Sequence, residues 1–440
     1  MPQTNSNSYR IHSEAIFHGL PDLPVDSTNL TAVVTGANGI SGSHMLRVLS
    51  RSPHRWKKIY ALSRRPPGSS IAGPDNINHL PCDFLSSPSG IAKLLRDRDV
   101  RPDYIFWFSY VLVTDESGAL DWSDTRLISK NNLILSNFLS ALTQADALPK
   151  RFIIQFGGKW YGVHLGASQV PCTEDQPPLP GLEEKNLYYT QHRILTTFCA
   201  NQSQGRMSWA AGLPPPVIGC AEGSNQTLIH PLLIYAAVQK YLGKSLDFPG
   251  DVAAWWAPQS LGNAVLNSYQ YEWMALAPQA ENQMFNVCDD DVFTWGVFWP
   301  QLAKKFGMRF TGPREGEGVA WKETPMPSSP PPHGFGGRTV RRSTFSFVEW
   351  AKEEVHQEAW SELAEKHGLR EREWMDVGAV FGRADVCCTG PDAKLYSMSE
   401  AKKAGWFGFV NSCESMLRVM DEFVQAKVIP DPSTIVPREA

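Results

Sequence analysis

The sequence predicts an α/β chain: a doubly wound parallel sheet followed by a smaller, mainly helical C-terminal lobe. Three observations predict it. An apolar run, Thr31-Ala-Val-Val-Thr35, ends in Gly36, Gly39 and Gly42 and passes directly into the amphipathic spacing Met45, Leu46, Val48, Leu49. That is the pattern of strand, glycine turn and helix. From Ala32 to about Ile218, strand-like and helix-like runs then alternate, as parallel strands joined by crossovers require. Beyond Trp295 the alternation gives way to helical patterns.

Residues 1–28 are polar, proline-bearing and aperiodic, and read as an extension that wraps the surface or stays loose. A Rossmann-type domain is expected over 29–295. In its first turn the glycines allow a sharp bend and close approach of a ligand. Free N–H groups and the positive end of the helix dipole attract a pyrophosphate. Gly36, Asn38, Gly39, Ile40 and Gly42 are the expected contacts there. The second strand, Lys58 to Leu62, ends in Ser63-Arg64-Arg65, about twenty residues on, where NAD-binding chains place an acidic residue. Guanidinium groups at that position suit a 2′-phosphate, so the predicted cofactor is NADPH.

Ligands of a doubly wound sheet lie outside the carboxyl ends of the strands. Asp83 and Phe84 follow the short third strand, and Asp83 either reaches the adenine amino group or shapes a turn. Ser109 and Tyr110 follow the strand Tyr104 to Phe108 and fall beside the nicotinamide position. A helix from Asp124 to Leu142 precedes the strand Arg151 to Phe156, and Gly157-Gly158-Lys159-Trp160-Tyr161-Gly162 comes next. A proline-rich loop, Pro171 to Pro180, leads into a helix from about Asn186 to Asn201. Another strand-like run carries Val217 and Ile218, also expected cofactor contacts. A helix around Pro231 to Leu242 and the segment Asp247 to Asp251 interrupt the sheet pattern, so residues 225–250 are assigned to the substrate lobe. Gln283 to Cys288 reads as a late return strand. The C-terminal lobe, 296–440, offers helices at Trp299 to Phe306, Phe347 to His367 and Ser399 to Val428, with an exposed proline-rich loop at 323–337.

At 440 residues the chain can bury a large core. A net charge of −4 and an isoelectric point near 6.3 give no basic field for nucleic acid or an anionic membrane. The N-terminus lacks a signal-peptide pattern and no apolar run approaches the roughly 20 residues that span a bilayer, so a cytoplasmic location is expected. Eight scattered cysteines without a C-x-x-C pair read as reduced, buried thiols rather than metal ligands or a disulfide framework. His164, His192 and His230 show no ligand spacing, and no metal is expected. Fifteen tryptophans and 21 phenylalanines build bulky cores or the walls of an apolar pocket; Trp255 and Trp256 are assigned to core. No repeat is visible.

A nicotinamide enzyme also needs a donor facing the substrate atom that becomes negative. The tyrosine–lysine pair Y-x-x-x-K of ordinary short-chain dehydrogenases does not occur here. The remaining candidates are Lys159 after the fifth strand and the pair Tyr188-Tyr189 opening the following helix. A lysine ammonium beside a phenol is expected to lower the phenol pKa from about 10. Tyr110, Tyr161 and Tyr189 are candidate substrate-lining residues.

From about residue 30 to 431 these features resemble the progesterone 5β-reductase and iridoid synthase group of atypical short-chain dehydrogenases. The glycine trio carries the resemblance, with Ala61-Leu-Ser-Arg-Arg-Pro66, Gly-Lys159-x-Tyr161, Asn186-Leu-Tyr-Tyr-Thr190 and Tyr235-Ala-Ala-Val238. Phe248-Pro-Gly250 with Trp255, Phe285-Asn286 through Asp291-Val-Phe-x-Trp295, and Gly405 through Ser412 add to it. The proline-broken insert and the segment around Phe248-Pro-Gly250 look most similar to fungal members, often found among natural-product pathway enzymes. The resemblance implies NADPH-dependent reduction of the carbon–carbon double bond of an apolar α,β-unsaturated carbonyl compound. It maps the catalytic lysine onto Lys159 and the catalytic tyrosine, which holds the enolate oxygen, onto Tyr188. A small apolar substrate is then the expected partner, with a homodimer as an open possibility. Three departures bear on the substrate. Gly212-Leu213-Pro214 replaces a His-Arg-Pro stretch, Gln191-His192-Arg193 replaces an acidic pair, and Tyr110 replaces a pocket tryptophan. Direct ketone reduction, a redox-neutral rearrangement and a non-catalytic NADP(H)-binding regulator are the alternatives on the same scaffold.

Overall fold

Seven parallel strands form the central sheet of the computed structural model, which describes residues 9–68, 75–113, 125–221, 227–328, 331, 340–373 and 376–438. They are β1 (Leu30–Thr35), β2 (Trp56–Ser63), β3 (Ile77–Pro81), β4 (Tyr104–Trp107), β5 (Arg151–Gln155), β6 (Ser208–Leu213) and β7 (Gln283–Asn286). Their spatial order is β7-β6-β5-β4-β1-β2-β3. Central strands covered on both faces must be apolar throughout: Ala32, Val33, Val34, Ile105, Phe106, Phe152 and Ile153 are all buried. Val33 pairs with Tyr60 on one side and Ile105 on the other, and Phe106 with Ile153. The carboxyl ends therefore line up. The winding reverses between β1 and β4, which opens a crevice there.

The covering helices are α1 (Ile40–Ser50), α2 (Pro88–Asp97), α3 (Thr125–Gln144), α4 (Leu187–Asn201), α5 (Ile229–Tyr241), α6 (Ala264–Leu276) and α7 (Trp295–Phe306). Local chemistry starts them. The Ser87 hydroxyl accepts from the Gly90 N–H with Pro88 in the first turn of α2, and Thr294 caps α7 at Val297. The return strand is present: β7 pairs with β6, Phe285 opposite Gly212. Only glycine fits there, since a Cβ would lie 2.3 Å from the Tyr271 ring.

From residue 9 onward the N-terminal extension is pinned. Strands Ile11–Glu14 and Phe17–Pro21 form an antiparallel ribbon, Phe17 and Leu20 are buried, and His18 exchanges both backbone hydrogen bonds with Phe409. Gly19, at φ +67°, lies against the Phe407 carbonyl.

The C-terminal region adds α8 (Phe347–Lys352), α9 (Glu354–His367), α10 (Val377–Thr389) and α11 (Ser412–Gln425). With α5 and α7 they enclose a second apolar core containing Tyr235, Phe248, Trp295, Trp299, Phe347, Trp360 and Phe381. Several expected elements differ. The helix expected over Phe347 to His367 is two helices, because Glu353 is extended (ψ 129°). The one expected from Ser399 stops at Lys403 before Gly405 (φ +103°) and resumes only when Asn411 caps α11. Helix α7 begins four residues before its expected start. Trp255 is core, but Trp256 is 57% exposed. Within the expected loop at 323–337, Glu323, Thr324 and Pro325 belong to a strand, Lys322–Pro325, paired with Val340–Ser343. Residues 329–330 and 332–337 of that loop, and Asp124 at the expected start of α3, lie outside the described residues. All eight cysteines are buried and free. Among the described residues no helix is long and apolar enough to cross a membrane, and no His, Cys, Asp or Glu cluster is placed to hold a metal.

Candidate active site

The glycine turn between β1 and α1 is built for close approach. Gly36 has φ +62°, and a Cβ on it would lie 2.6 Å from the Phe108 carbonyl oxygen; one on Gly42 would lie 2.2 Å from the Gly36 oxygen. Gly39 occupies the N-cap position of α1 without a side chain to satisfy the first-turn N–H groups, the arrangement that receives a phosphate. The Asn38 amide donates to the Pro66 carbonyl at 2.5 Å, tying this turn to the segment after β2. Arg64 and Arg65, both exposed, stand on that segment, and the Ser63 hydroxyl donates to the Arg65 carbonyl at 2.7 Å. Across the crevice, Thr35 Oγ1 accepts from the Phe108 and Ser109 N–H groups. These residues fit the pyrophosphate of a dinucleotide, with two exposed guanidinium groups on the segment after β2.

The Phe84 side chain stacks in the core against Trp107 and Phe138 and that of Ile218 is fully buried, which leaves only their backbones to meet a ligand. Asp83 shapes a turn, accepting from the Leu85 N–H. Val217 is half-buried beside Ile218. A contact that sequence reasoning missed involves His44, buried in α1. Its Nδ1 lies 2.7 Å from the Ile40 carbonyl and its Nε2 lies 3.7 Å from Glu422 of α11. Burial pushes the Glu422 carboxyl up, but His44 and Arg47 outweigh it and hold the group below its ordinary value. The nucleotide helix is thereby tied to the C-terminal region.

The second half of the site follows β5. Gly157 is extended, and Gly158 opens a single 3-10 turn, Gly158–Tyr161. Both glycines make room for phenols: a Cβ on Gly157 would lie 3.2 Å from the Tyr188 hydroxyl, and one on Gly158 2.2 Å from that of Tyr396. Asn186, the N-cap of α4, holds the two segments together. Its Oδ1 accepts from the Tyr188 N–H at 3.0 Å and its Nδ2 donates to the Lys159 carbonyl at 2.8 Å. The Phe156 ring lies 5.6 Å from that of Tyr188. Lys159 and Tyr188 thus sit on adjoining backbone at the carboxyl edge of the sheet.

Their electrostatics differ from the sequence expectation. Burial, reinforced by the Arg383 guanidinium, lowers the Lys159 ammonium to about 8. Burial raises the Tyr188 phenol to about 12, with Arg383 the opposing influence. The lysine does not depress the phenol; desolvation wins and Tyr188 stays protonated at neutral pH. Tyr110 is accessible on one face, yet hemmed in enough that desolvation and Tyr188 raise it while Arg383 lowers it. His164, also accessible, is lowered to about 4 by desolvation and then by Lys159.

Two expected pocket tyrosines are occupied elsewhere. The Tyr189 hydroxyl donates to the Trp160 carbonyl at 2.6 Å and accepts from the Leu179 N–H. The buried Tyr161 hydroxyl donates to Asn286 Oδ1 at 2.7 Å. Both brace the loop after β5 rather than line the crevice. Arg383, in α10, is the functional candidate that sequence reasoning missed. The available signal was a single cation within the otherwise apolar run Val377-Gly-Ala-Val-Phe-Gly-Arg383. A concavity of about 310 Å3 in the C-terminal region, lined by Tyr235, Asp247, Phe345, Glu349 and Glu353 among others, shares no residue with either half of this site.

Comparison with known proteins bears on the family and the fold. The sequence profile of the NAD dependent epimerase/dehydratase family matches residues 32–256. The chain is 29% identical over 410 residues to (S)-8-oxocitronellyl enol synthase of Nepeta cataria, covering 91% of this chain and 93% of that one. It is 28% identical over 417 residues to 3-oxo-Delta(4,5)-steroid 5-beta-reductase of Arabidopsis thaliana, covering 93% and 95%. The short chain dehydrogenase gsfE of Penicillium aethiopicum is 25% identical over 406 residues, covering 91% and 99%. Among solved structures, an epimerase of Methanothermobacter thermautotrophicus superposes with a TM-score of 0.50 at 17% identity, covering 66% of this chain and 81% of that one, a likeness of fold.

Proposed function

The chain belongs to the NAD dependent epimerase/dehydratase family, and on that premise we propose that it is an NADPH-dependent reductase of an apolar α,β-unsaturated carbonyl compound, with Tyr188 and Lys159 as its reactive pair. The oxidoreductase class itself follows from the named relatives. One observation carries the finer reading. A desolvated phenol that keeps its proton, Tyr188, lies against Gly157 at the edge of β5, and two residues beyond that glycine stands a lysine lowered to about 8.

When bound, NADPH supplies the hydride for the β-carbon of the substrate. The Tyr188 hydroxyl donates to the carbonyl oxygen, where negative charge collects as the double bond is reduced, and a protonated donor in a desolvated setting stabilises that charge strongly. Lys159 offers its ammonium to the ribose hydroxyls and to the same developing charge. Arg64 and Arg65 hold the 2′-phosphate, and the first-turn N–H groups of α1 hold the pyrophosphate. Phe156, against the Tyr188 ring, and Tyr396, against Gly158, supply apolar neighbours that keep water from the site.

The test is NADPH consumption on parallel panels of enones and ketones, with wild type and Tyr188→Phe. Loss of one oxyanion donor should lower kcat on enones by about 10²- to 10³-fold while NADPH affinity is kept. Turnover confined to ketones, or an unchanged kcat in the variant, refutes the proposal.

A further inference from the structure

The concavity of about 310 Å3 in the C-terminal region is built like a binding site and has no part in the reductase reading. Its buried side includes Tyr235 and Gln239, one turn apart on α5, and Trp350 of α8; Phe345, just before α8, is half-buried beside them. Three rings are gathered there. The Tyr235 centroid lies 5.0 Å from that of Trp350 and 5.7 Å from that of Phe345. Rings that line a cavity attract a cation through their π faces.

Gln239 supplies an independent sign of a ligand. It is only 7% exposed. Its Nε2 donates to the Ser245 carbonyl at 3.1 Å and toward the Tyr235 hydroxyl at 3.5 Å, and that hydroxyl donates to the Asp247 carbonyl at 3.1 Å. These bonds orient the amide and leave its Oε1 buried, accepting from no described residue. A buried amide oxygen without a donor is unfavourable, and a ligand N–H removes the penalty.

The charge around the cavity has the matching sign. Asp247, Glu349 and Glu353 line it against a single lining cation, Lys322. The partners of these carboxylates stand outside the lining: Glu349 meets Lys352 at 3.0 Å and Asp247 lies 3.7 Å from Arg314, pairs that solvent screens. Glu353 lies 3.6 Å from His356, which desolvation lowers and which is already 2.7 Å from the Trp350 carbonyl, so no full positive charge answers it at pH 7.

Independently of the reductase reading, we propose that this cavity binds a primary organic ammonium with an aromatic tail, its N–H donating to Gln239 Oε1, its charge facing Asp247, Glu349 and Glu353, and its tail packing on Tyr235, Phe345 and Trp350. The rings and the carboxylates select a cation over a neutral molecule of the same shape, and the orphaned amide oxygen selects an ammonium that carries N–H groups over a quaternary one.

The probes are phenethylammonium, the neutral 2-phenylethanol and trimethyl(phenethyl)ammonium, titrated calorimetrically into the full chain with and without saturating NADPH. Phenethylammonium should bind at one site with Kd of about 1 mM or tighter, and each of the other two at least tenfold more weakly. The double variant Glu349→Gln, Glu353→Gln, which alters only exposed positions, should lose about tenfold in affinity. Lys322→Met removes the competing cation and should tighten binding severalfold, a gain that a misfolded variant does not produce. NADPH should leave every one of these affinities unchanged. No saturable heat with phenethylammonium, equal affinity for the alcohol or the quaternary ion, or weaker binding in Lys322→Met overturns the proposal, and displacement by NADPH overturns it by placing the amine in the cofactor crevice.

Discussion

Replacing Lys159 by methionine should stabilise the protein while removing activity, and the structure supplies the size of the effect. Burial and Arg383 lower the Lys159 ammonium from 10.5 to about 8, which means the folded chain holds that charge at a cost the unfolded chain does not bear. At about 1.4 kcal/mol per tenfold, the upper figure is roughly 3 kcal/mol; the side chain is only partly buried, so screening reduces it to about 1–2 kcal/mol. Below pH 8 both folded and unfolded forms are charged and the cost is present in full. Between pH 8 and 10.5 the folded lysine has shed its proton while the unfolded one retains it, so stability rises with pH and the cost fades. Methionine fills similar volume without charge. With 440 residues and about 2.1 cal/mol/K of unfolding entropy per residue, a gain of that size raises Tm by about 1–2 °C at pH 7. Thermal unfolding of both proteins at pH 7 and at pH 10.5 measures it. A variant that melts lower at pH 7, or whose advantage is the same at both pH values, refutes the idea that the lysine is held under desolvation.

The cofactor half of the site gives two further tests. Arg64→Ala combined with Arg65→Ala should raise KM for NADPH by about 10- to 100-fold and leave that for NADH nearly unchanged, because two exposed guanidinium groups on a 2′-phosphate together contribute about 1.5–3 kcal/mol; equal changes for both cofactors count against a phosphate role. Gly36→Ala forces a side chain into φ +62° and to within 2.6 Å of the Phe108 carbonyl, so the β1 turn must shift. Cofactor affinity, followed by fluorescence titration, should fall by more than tenfold with far-ultraviolet circular dichroism retained, whereas an unaltered affinity removes the turn from the site.

What could be read from the sequence was what has a short-range cause. The β1–α1 turn needs glycine at fixed steps, Asn186 announces the start of α4, and the continuous apolar strands declare a sheet covered on both sides; each signal lies within a few residues of its consequence. The parts that were misread depend on partners remote in the chain. Residues 11–21 are a polar stretch until His18 meets Phe409. Tyr161 and Tyr189 are indistinguishable from Tyr188 by spacing, and only the positions of Asn286 and the Trp160 carbonyl decide that the first two are spent on bracing. The direction of the Tyr188 perturbation was misread for the same reason. A lysine expected beside the phenol at the strand ends suggested a lowered pKa, but desolvation is a sum over everything packed around the ring and is larger than any one charge. That reversal matters for the chemistry. A phenol depressed toward neutrality would be a proton-transfer catalyst whose rate followed its titration. A phenol pushed to about 12 is a fixed hydrogen-bond donor across the physiological range, so of the reactive pair it is Lys159 whose charge changes nearer neutrality, and any alkaline fall in activity near pH 8 should disappear in Lys159→Arg and move to higher pH in Arg383→Gln, which removes one of the two influences that lower the lysine.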